Sequence, residues 1–166
     1  MRIRPGDGSD LDSIMALGDE AVAWMVSRGN TEQWGTLPWS ANPARLERMR
    51  GILAEGDLWV AELDGEPVGV LIVSDKPDPH IPPAGEPEVY VRLLLTSRRH
   101  AGKKIGSQLL DKAVSVARER GVSLVRVDCY RGEDGELVGY YERNGYVKSE
   151  TFMVKEWPGQ VLTRRI

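Results

Sequence analysis

The chain predicts a mixed α/β fold, a single sheet with helices on its faces. Three observations predict it. Val89 to Leu95 is β-branched and aliphatic apart from Tyr90 and Arg92, and reads as a strand. Just downstream, Ile105, Leu109, Ala113, Val116 and Ala117 form an apolar stripe of helical period. Asp64-Gly65, lying between two apolar runs, is a hairpin signal. Strand and helix periods therefore alternate along the chain, in the order β-α-α-β-β-β-α-β-α-β-β.

The elements follow in turn. Arg2 to Arg4 is a short first strand, ended by Pro5 and the Gly-Asp-Gly-Ser cluster. Ser9 or Asp10 can cap a helix with Leu11, Ile14, Met15, Gly18, Val22, Met25 and Val26 on one face, stopping at Gly29-Asn30. The stretch after it carries Trp34, Pro38 and Trp39. Trp24 reads as core on its helix face, whereas Trp34 and Trp39 read as either core or pocket wall. Asn42 caps a second helix with Pro43 at its first position and Leu46, Met49, Ile52 and Leu53 inward; Gly56 ends it. Asp57 to Leu63 and Pro67 to Ser74 are strands, the second apolar enough for burial on both faces.

The Pro-rich run from Asp75 to Pro87 predicts a mobile rim loop, with His80 exposed in it. Glu88 to Thr96 is the fourth strand, and the long third helix ends near Arg120-Gly121. Ser123 to Tyr130 is a strand, and Arg131 to Glu136 a loop. Leu137 to Asn144 is a short helix with Leu137, Tyr140 and Tyr141 on one face and Gly145 as its stop. Tyr146 to Trp157 and Val161 to Arg165 are the closing strands.

Composition bounds the function. At 166 residues, 41% hydrophobic and 28% charged, the chain fits a single globular domain spanning 1–166. A net charge of −3 argues against a dedicated nucleic-acid protein. Cys129 stands alone, which excludes an internal disulfide and fits a reducing compartment. No apolar run is long enough for a membrane span, and the first residues lack an apolar signal core, so a cytoplasmic location is expected. Two His and one Cys do not supply a dense metal site, and none is expected.

The chemistry concentrates in Thr96 to Ala117, TSRRHAGKKIGSQLLDKAVSVA. A strand end leads through Arg98, Arg99, His100, Lys103 and Lys104, with Gly102 and Gly106, into a helix. A helix N-terminus offers unpaired N–H groups and a positive dipole end. Glycine allows close approach of a ligand to that backbone. The combination is an anion site suited to phosphate or pyrophosphate.

This segment resembles the acyl-CoA signature Q/R-x-x-G-x-G/A of the GCN5-related N-acetyltransferases. The preferred register is Ala101-Gly102-Lys103-Lys104-Ile105-Gly106, with Ala101 in place of Arg or Gln and Lys104 in place of Gly. A second register begins at Arg99 and puts Gly102 on the fourth position. Tyr141-Glu142-Arg143-Asn144-Gly145-Tyr146 resembles the family's second signature, Y-x-x-x-G-[FY].

The resemblance implies the acetyltransferase fold and an enzyme that uses acetyl-CoA to acetylate a primary amine, by direct attack in a ternary complex. It implies cofactor contacts from Leu94, Leu95 and Thr96 and from Arg99 through Ser107, the last named with His100, Ala101, Gly102, Lys103, Lys104, Ile105 and Gly106. In the family the fourth and fifth strands splay, and backbone N–H groups there polarise the thioester. Tyr141 is the implied leaving-group acid. Glu88 and Asp128 are the candidate bases, and Trp34 and Trp39 the candidate acceptor contacts. A small-molecule amine is the leading acceptor. A protein or peptide amine, or a regulatory acyl-CoA-binding module without turnover, are the alternatives. Dimers are common in the resembled family, which leaves a homodimer open; no nucleic-acid or membrane partner is implied.

Overall fold

The structure is a computed structural model that describes residues 1–132 and 134–166; Glu133, in the expected loop from Arg131 to Glu136, lies outside the described residues. Seven strands form a mixed sheet, and the described residues include four α-helices in the expected order. Two compact units each draw on two stretches of chain: Met1–Val73 with Leu93–Leu109, and Ser74–Arg92 with Leu110–Ile166.

In the first unit, β1 (Arg2–Pro5), β2 (Asp57–Leu63), β3 (Glu66–Ser74) and the second half of β4 (Val89–Thr96) lie side by side in that order. β1 runs antiparallel to β2, from Arg2 opposite Glu62 to Pro5 opposite Trp59. β2 turns into β3 at Asp64 and Gly65, whose φ values of 51° and 78° are those of a two-residue type I′ hairpin. Helices α1 (Leu11–Ser27) and α2 (Pro43–Glu55) cover one face. Ile14, Leu17, Val22 and Met25 of α1 and Met49 and Ile52 of α2 share a core with Val60, Val70, Ile72, Leu93 and Leu95. Side chains alternate along a strand, so Leu93 and Leu95 enter this core while Leu94 and Thr96 are half-buried.

Two expectations for α1 are corrected. Its buried stripe includes Leu17 and Ala21, and Val26 is exposed, so the inward face is rotated by part of a turn from the expected one. Neither Ser9 nor Asp10 caps it through a side chain. Asp7 instead caps a 3₁₀ turn at Gly8–Asp10, and the Asp10 carboxylate is committed to Arg4 at 2.8 Å and to the Asp7 N–H at 3.0 Å. α2 starts as expected, with Pro43 first and Asn42 Oδ1 accepting from Arg45 N at 3.2 Å.

In the second unit, the first half of β4 pairs in parallel with β5 (Leu124–Tyr130), Val89–Val91 against Val125–Val127. β7 (Trp157–Arg165) lies antiparallel to β5, and β6 (Val147–Val154) antiparallel to β7. The expected closing strands are corrected: the turn is Lys155-Glu156, and Lys155 takes φ 55°. Pro158-Gly159, which resembles a break, sits inside β7. The Pro158 carbonyl accepts Arg131 N at 2.9 Å, and Gly159 lies so near Phe152 that a Cβ would come within 2.1 Å of its ring.

The short helix α4 (Glu136–Arg143) buries Val138 and Tyr141; Leu137 and Tyr140, expected beside Tyr141 on the inner face, are half-buried. The 75–87 loop, expected to be a mobile rim, is pinned. Asp78 pairs with Arg92 at 2.6 Å, Arg126 donates to the Pro82 carbonyl at 3.0 Å, and Ile81 is buried.

Candidate active site

The basic loop is built from β3 and α1 outwards. Ser97 N donates to the Val68 carbonyl at 2.8 Å, which ties the end of β4 to β3. A 3₁₀ turn follows at Arg98–His100. Its N-terminal donors converge on one carboxylate. Glu20 Oε1 on α1 accepts from Ser97 Oγ at 2.8 Å, Arg98 N at 2.7 Å and Arg99 N at 3.2 Å. A half-buried carboxylate on backbone N–H groups is a strong, charge-assisted anchor.

The five basic side chains then divide. The Arg98 guanidinium lies 3.6 Å from the Trp24 ring centroid, a cation–π contact onto α1. Arg99 pairs with Glu66 at 2.6 Å, and His100 Nδ1 is 3.3 Å from Ser97 Oγ. Lys103 and Lys104 are exposed and have no acidic partner among the described residues. They carry the positive charge that is left for an incoming anion.

Backbone geometry speaks to the two registers. Gly102 and Lys104 both take left-handed conformations, φ 86° and 57°. Gln108 N donates to the Lys104 carbonyl at 3.1 Å, so helical bonding begins there, and α3 (Ile105–Glu119) starts one residue later. Lys104 therefore adopts the conformation that a glycine at the fourth motif position would supply without cost. Gly106 is buried in the first turn, in keeping with the register that begins at Ala101. The first-turn N–H groups of Ile105, Gly106 and Ser107 have no acceptor within the helix. Loop backbone, helix end and two lysines together fit a pyrophosphate.

Gly69 on β3 seats that helix. A Cβ there would come within 2.8 Å of Ile105 Cγ2 and 3.0 Å of Leu109 Cδ1. The absent side chain lets the first turn of α3 rest directly on the strand.

The remaining candidates in the second unit are all enclosed or engaged. Tyr141 is only 5% exposed, and its ring meets Tyr140 and Tyr146 edge-on, with centroids 5.5 and 5.9 Å away. Tyr140 thus packs edge-on against Tyr141. Burial, then Cys129, pushes the Tyr141 phenol well above its ordinary value. It is protonated at neutral pH. Burial also pushes the Cys129 thiol up to about 12, so it is an inert thiol.

Glu88 precedes β4 and is clamped by Arg126, Nε to Oε1 at 2.6 Å and Nη2 to Oε2 at 2.8 Å. Both carboxylate oxygens are taken. Asp128 Oδ2 accepts from the Tyr90 hydroxyl at 2.5 Å, and burial followed by Asp128 raises the Tyr90 phenol far above its ordinary value.

In the first unit, Trp39 is 1% exposed and fills the space at Gly18, where a Cβ would lie 2.1 Å from its ring. Trp34 is half-buried, 5.1 Å from Trp39 centroid to centroid. Trp39 is therefore a packing residue, and Trp34 is the one that keeps a face to solvent.

Sequence reasoning missed Glu20, Gly69 and Arg126. Glu20 is 77 residues from Ser97 in sequence, and no local pattern marks it. Gly69 sits in an apolar run as an ordinary small residue. Arg126 alternates correctly for a strand and gives no sign of its partner. Among the described residues no cluster of three His, Cys, Asp or Glu groups could hold a metal, and no helix is long and apolar enough to cross a membrane.

The chain and its fold are similar to known proteins. The chain is 26% identical over 152 residues to the uncharacterized N-acetyltransferase YesJ of Bacillus subtilis (strain 168), covering 86% of this chain and 79% of that protein. Its fold is similar to ribosomal-protein-alanine N-acetyltransferase from Brucella melitensis, with a TM-score of 0.67 at 19% identity and full coverage of both chains. It is also similar to the PaiA N-acetyltransferase from Thermoplasma acidophilum in complex with coenzyme A, with a TM-score of 0.72 at 16% identity over 99% of this chain and 98% of that one. The family model described as acetyltransferase (GNAT) family matches residues 20–146, which include Glu20, the basic loop and Tyr141. The chain belongs to the GNAT family of acetyl-CoA-dependent acyltransferases.

Proposed function

We propose that the protein acetylates the primary amine of a small molecule, by direct attack within a ternary complex. The observation that carries this reading is the turn into α3: two left-handed residues, a buried Gly106, open first-turn N–H groups and two unpaired lysines. Acetyl-CoA, when bound, supplies a thioester carbonyl open to an amine. Lys103, Lys104 and the N–H groups of Ile105, Gly106 and Ser107 hold its pyrophosphate, and Ala101 and Gly102 shape the approach. Backbone groups of Leu94, Leu95 and Thr96 hold the pantetheine arm and stabilise charge developing on the carbonyl oxygen, a contribution of about 3 kcal/mol per donor. Arg99 and His100 support the loop through Glu66 and Ser97.

Tyr141 holds its proton at the phenol oxygen and gives it to the departing thiolate. Burial keeps that phenol neutral over the whole working range. With Glu88 bound at both oxygens, its role is to brace the start of β4. Asp128, which keeps its carboxylate beside the Tyr90 hydroxyl, is the candidate to take the amine proton.

The decisive experiment is an acetyl-CoA titration read by melting and by heat. Ligand at about a hundred times its dissociation constant should add about 2.7 kcal/mol of stability. No shift and no heat at millimolar ligand rejects the reading. Tyr141→Phe should lower kcat at least tenfold and leave acetyl-CoA affinity within twofold, about 0.4 kcal/mol. Equal loss of both would make Tyr141 structural. A protein or peptide amine is the second reading, favoured by the likeness to the Brucella ribosomal-protein-alanine enzyme. Turnover of N-terminal peptides in preference to free amines would decide for it.

A further inference from the structure

Arg45 occupies an unusual position. It is the third residue of α2, where the helix dipole is positive and a cation is disfavoured. Its guanidinium lies 4.8 Å from the Trp39 ring centroid and 5.9 Å from that of Trp34. It has no acidic partner among the described residues. Burial lowers its pKa, and nearby Arg48 adds to the effect. A half-buried guanidinium without a carboxylate, on a helix N-terminus and beside a second arginine, is a place where an incoming anion gains from every neighbouring charge and dipole. The Trp39 indole N–H, buried in the same cluster, also lacks an acceptor.

The cluster is held by its surroundings. Gly18 admits the Trp39 ring against α1, and Asp19 Oδ1 accepts Ser40 N at 2.8 Å, which fixes the 3₁₀ turn Trp39–Ala41. Indole faces orient the planar guanidinium and leave its N–H edge for a ligand. Trp34 and Arg45 both keep part of their surface open to solvent.

We propose that Arg45, backed by Trp34 and Trp39, anchors a carboxylate on the acceptor, so that the substrate is a small amine that also carries a carboxylate. This rests on the amine-acetylation reading above. A single planar fork with apolar walls matches a carboxylate, which it grips bidentately. The same fork can grip two oxygens of a phosphate, but its third oxygen and second charge would stay unmatched.

The test compares common L-amino acids and β-alanine with their carboxamides, and with phosphoethanolamine. Binding is read on the whole protein by NMR of the Trp34 indole N–H, assigned with Trp34→Phe. Turnover is read by thiol release at saturating acetyl-CoA. The expected result is that at least one carboxylate shifts the Trp34 signal and its amide does not. The acid should also have a KM about ten- to hundredfold below that of its amide, as loss of a charged hydrogen-bond pair implies. Arg45→Ala should abolish that preference and leave acetyl-CoA affinity unchanged, and Arg45→Lys should restore part of it. Acid and amide behaving alike in the wild type, preferred binding of phosphoethanolamine, or no indole shift with any probe would each overturn the proposal. The wild-type comparison needs no variant to fold. Failure of acetyl-CoA to bind would sink the acetyltransferase reading alone, because the indole shift still decides the anion site.

Discussion

Lys104 shows how far one residue can depart from a motif and keep its backbone. The pattern asks for glycine, and the chain supplies a lysine at φ 57°. A left-handed L-residue costs about 1–2 kcal/mol relative to glycine, and glycine loses about 0.4–1 kcal/mol through its freer unfolded chain. Lys104→Gly should therefore raise stability by up to about 1.6 kcal/mol, visible in a thermal melt. It should also weaken acetyl-CoA binding severalfold in calorimetry, because an unpaired cation is removed. Tighter binding would show that the lysine obstructs. The substitution of Lys for Gly was plain in the sequence, and so was its place in the loop. Its conformation was not, since a basic run gives no sign of which residue turns the chain. Nor could sequence tell which bases stay available: Arg98 and Arg99 look like Lys103 and Lys104 until Trp24 and Glu66 are placed beside them.

At the scale of elements, the strand-to-helix turn depends on what lies beneath it. Gly69→Ala would press on Ile105 and Leu109, and overpacking of this kind costs about 1–3 kcal/mol. The first turn of α3 should shift, so the KM for acetyl-CoA should rise while kcat changes little. An unchanged KM would detach the helix seat from ligand binding. β4 offers a second contrast. Its apolar run, the helical stripe of α3 and the Asp64-Gly65 hairpin were all legible, because period and turn chemistry are local. The bracing of its first residues was not. Glu88 and Arg126 are 38 positions apart and form a buried bidentate pair. Breaking such a pair leaves an uncompensated charge, so Glu88→Ala should cost about 3–5 kcal/mol in denaturant unfolding. Activity per folded molecule should persist within a few-fold. Loss of kcat at full stability would restore Glu88 as the base. The misplaced turn between β6 and β7 has the same cause as the missed pair. Pro158-Gly159 carries the strongest local turn signal, but Phe152 needs the space over Gly159 and the strand runs through.

For the molecule as a whole, three buried phenols set a limit at high pH. Burial raises Tyr90, Tyr141 and Tyr146 above their ordinary value, with Asp128 adding to Tyr90 and Arg164 opposing in Tyr146. A group with a raised folded pKa contributes stability that is complete below its unfolded pKa and is lost as pH rises towards the folded one. Unfolding free energy should thus be level up to about pH 10 and fall beyond it, by about 1.4 kcal/mol per pH unit for each phenol, with the melting temperature falling in step. A flat profile to pH 11 would mean that water reaches these hydroxyls.

The division of the chain into two interleaved units has a consequence for biosynthesis. The first unit has all its residues once Leu109 is made. The second does not: β5 ends at Tyr130, and β7, which completes its hydrogen bonding, begins only at Trp157. At about 5–20 residues per second, translation leaves that edge of β5 open for about one to five seconds. A chain truncated between these strands should present a protease-resistant early segment and a later one still open to cleavage.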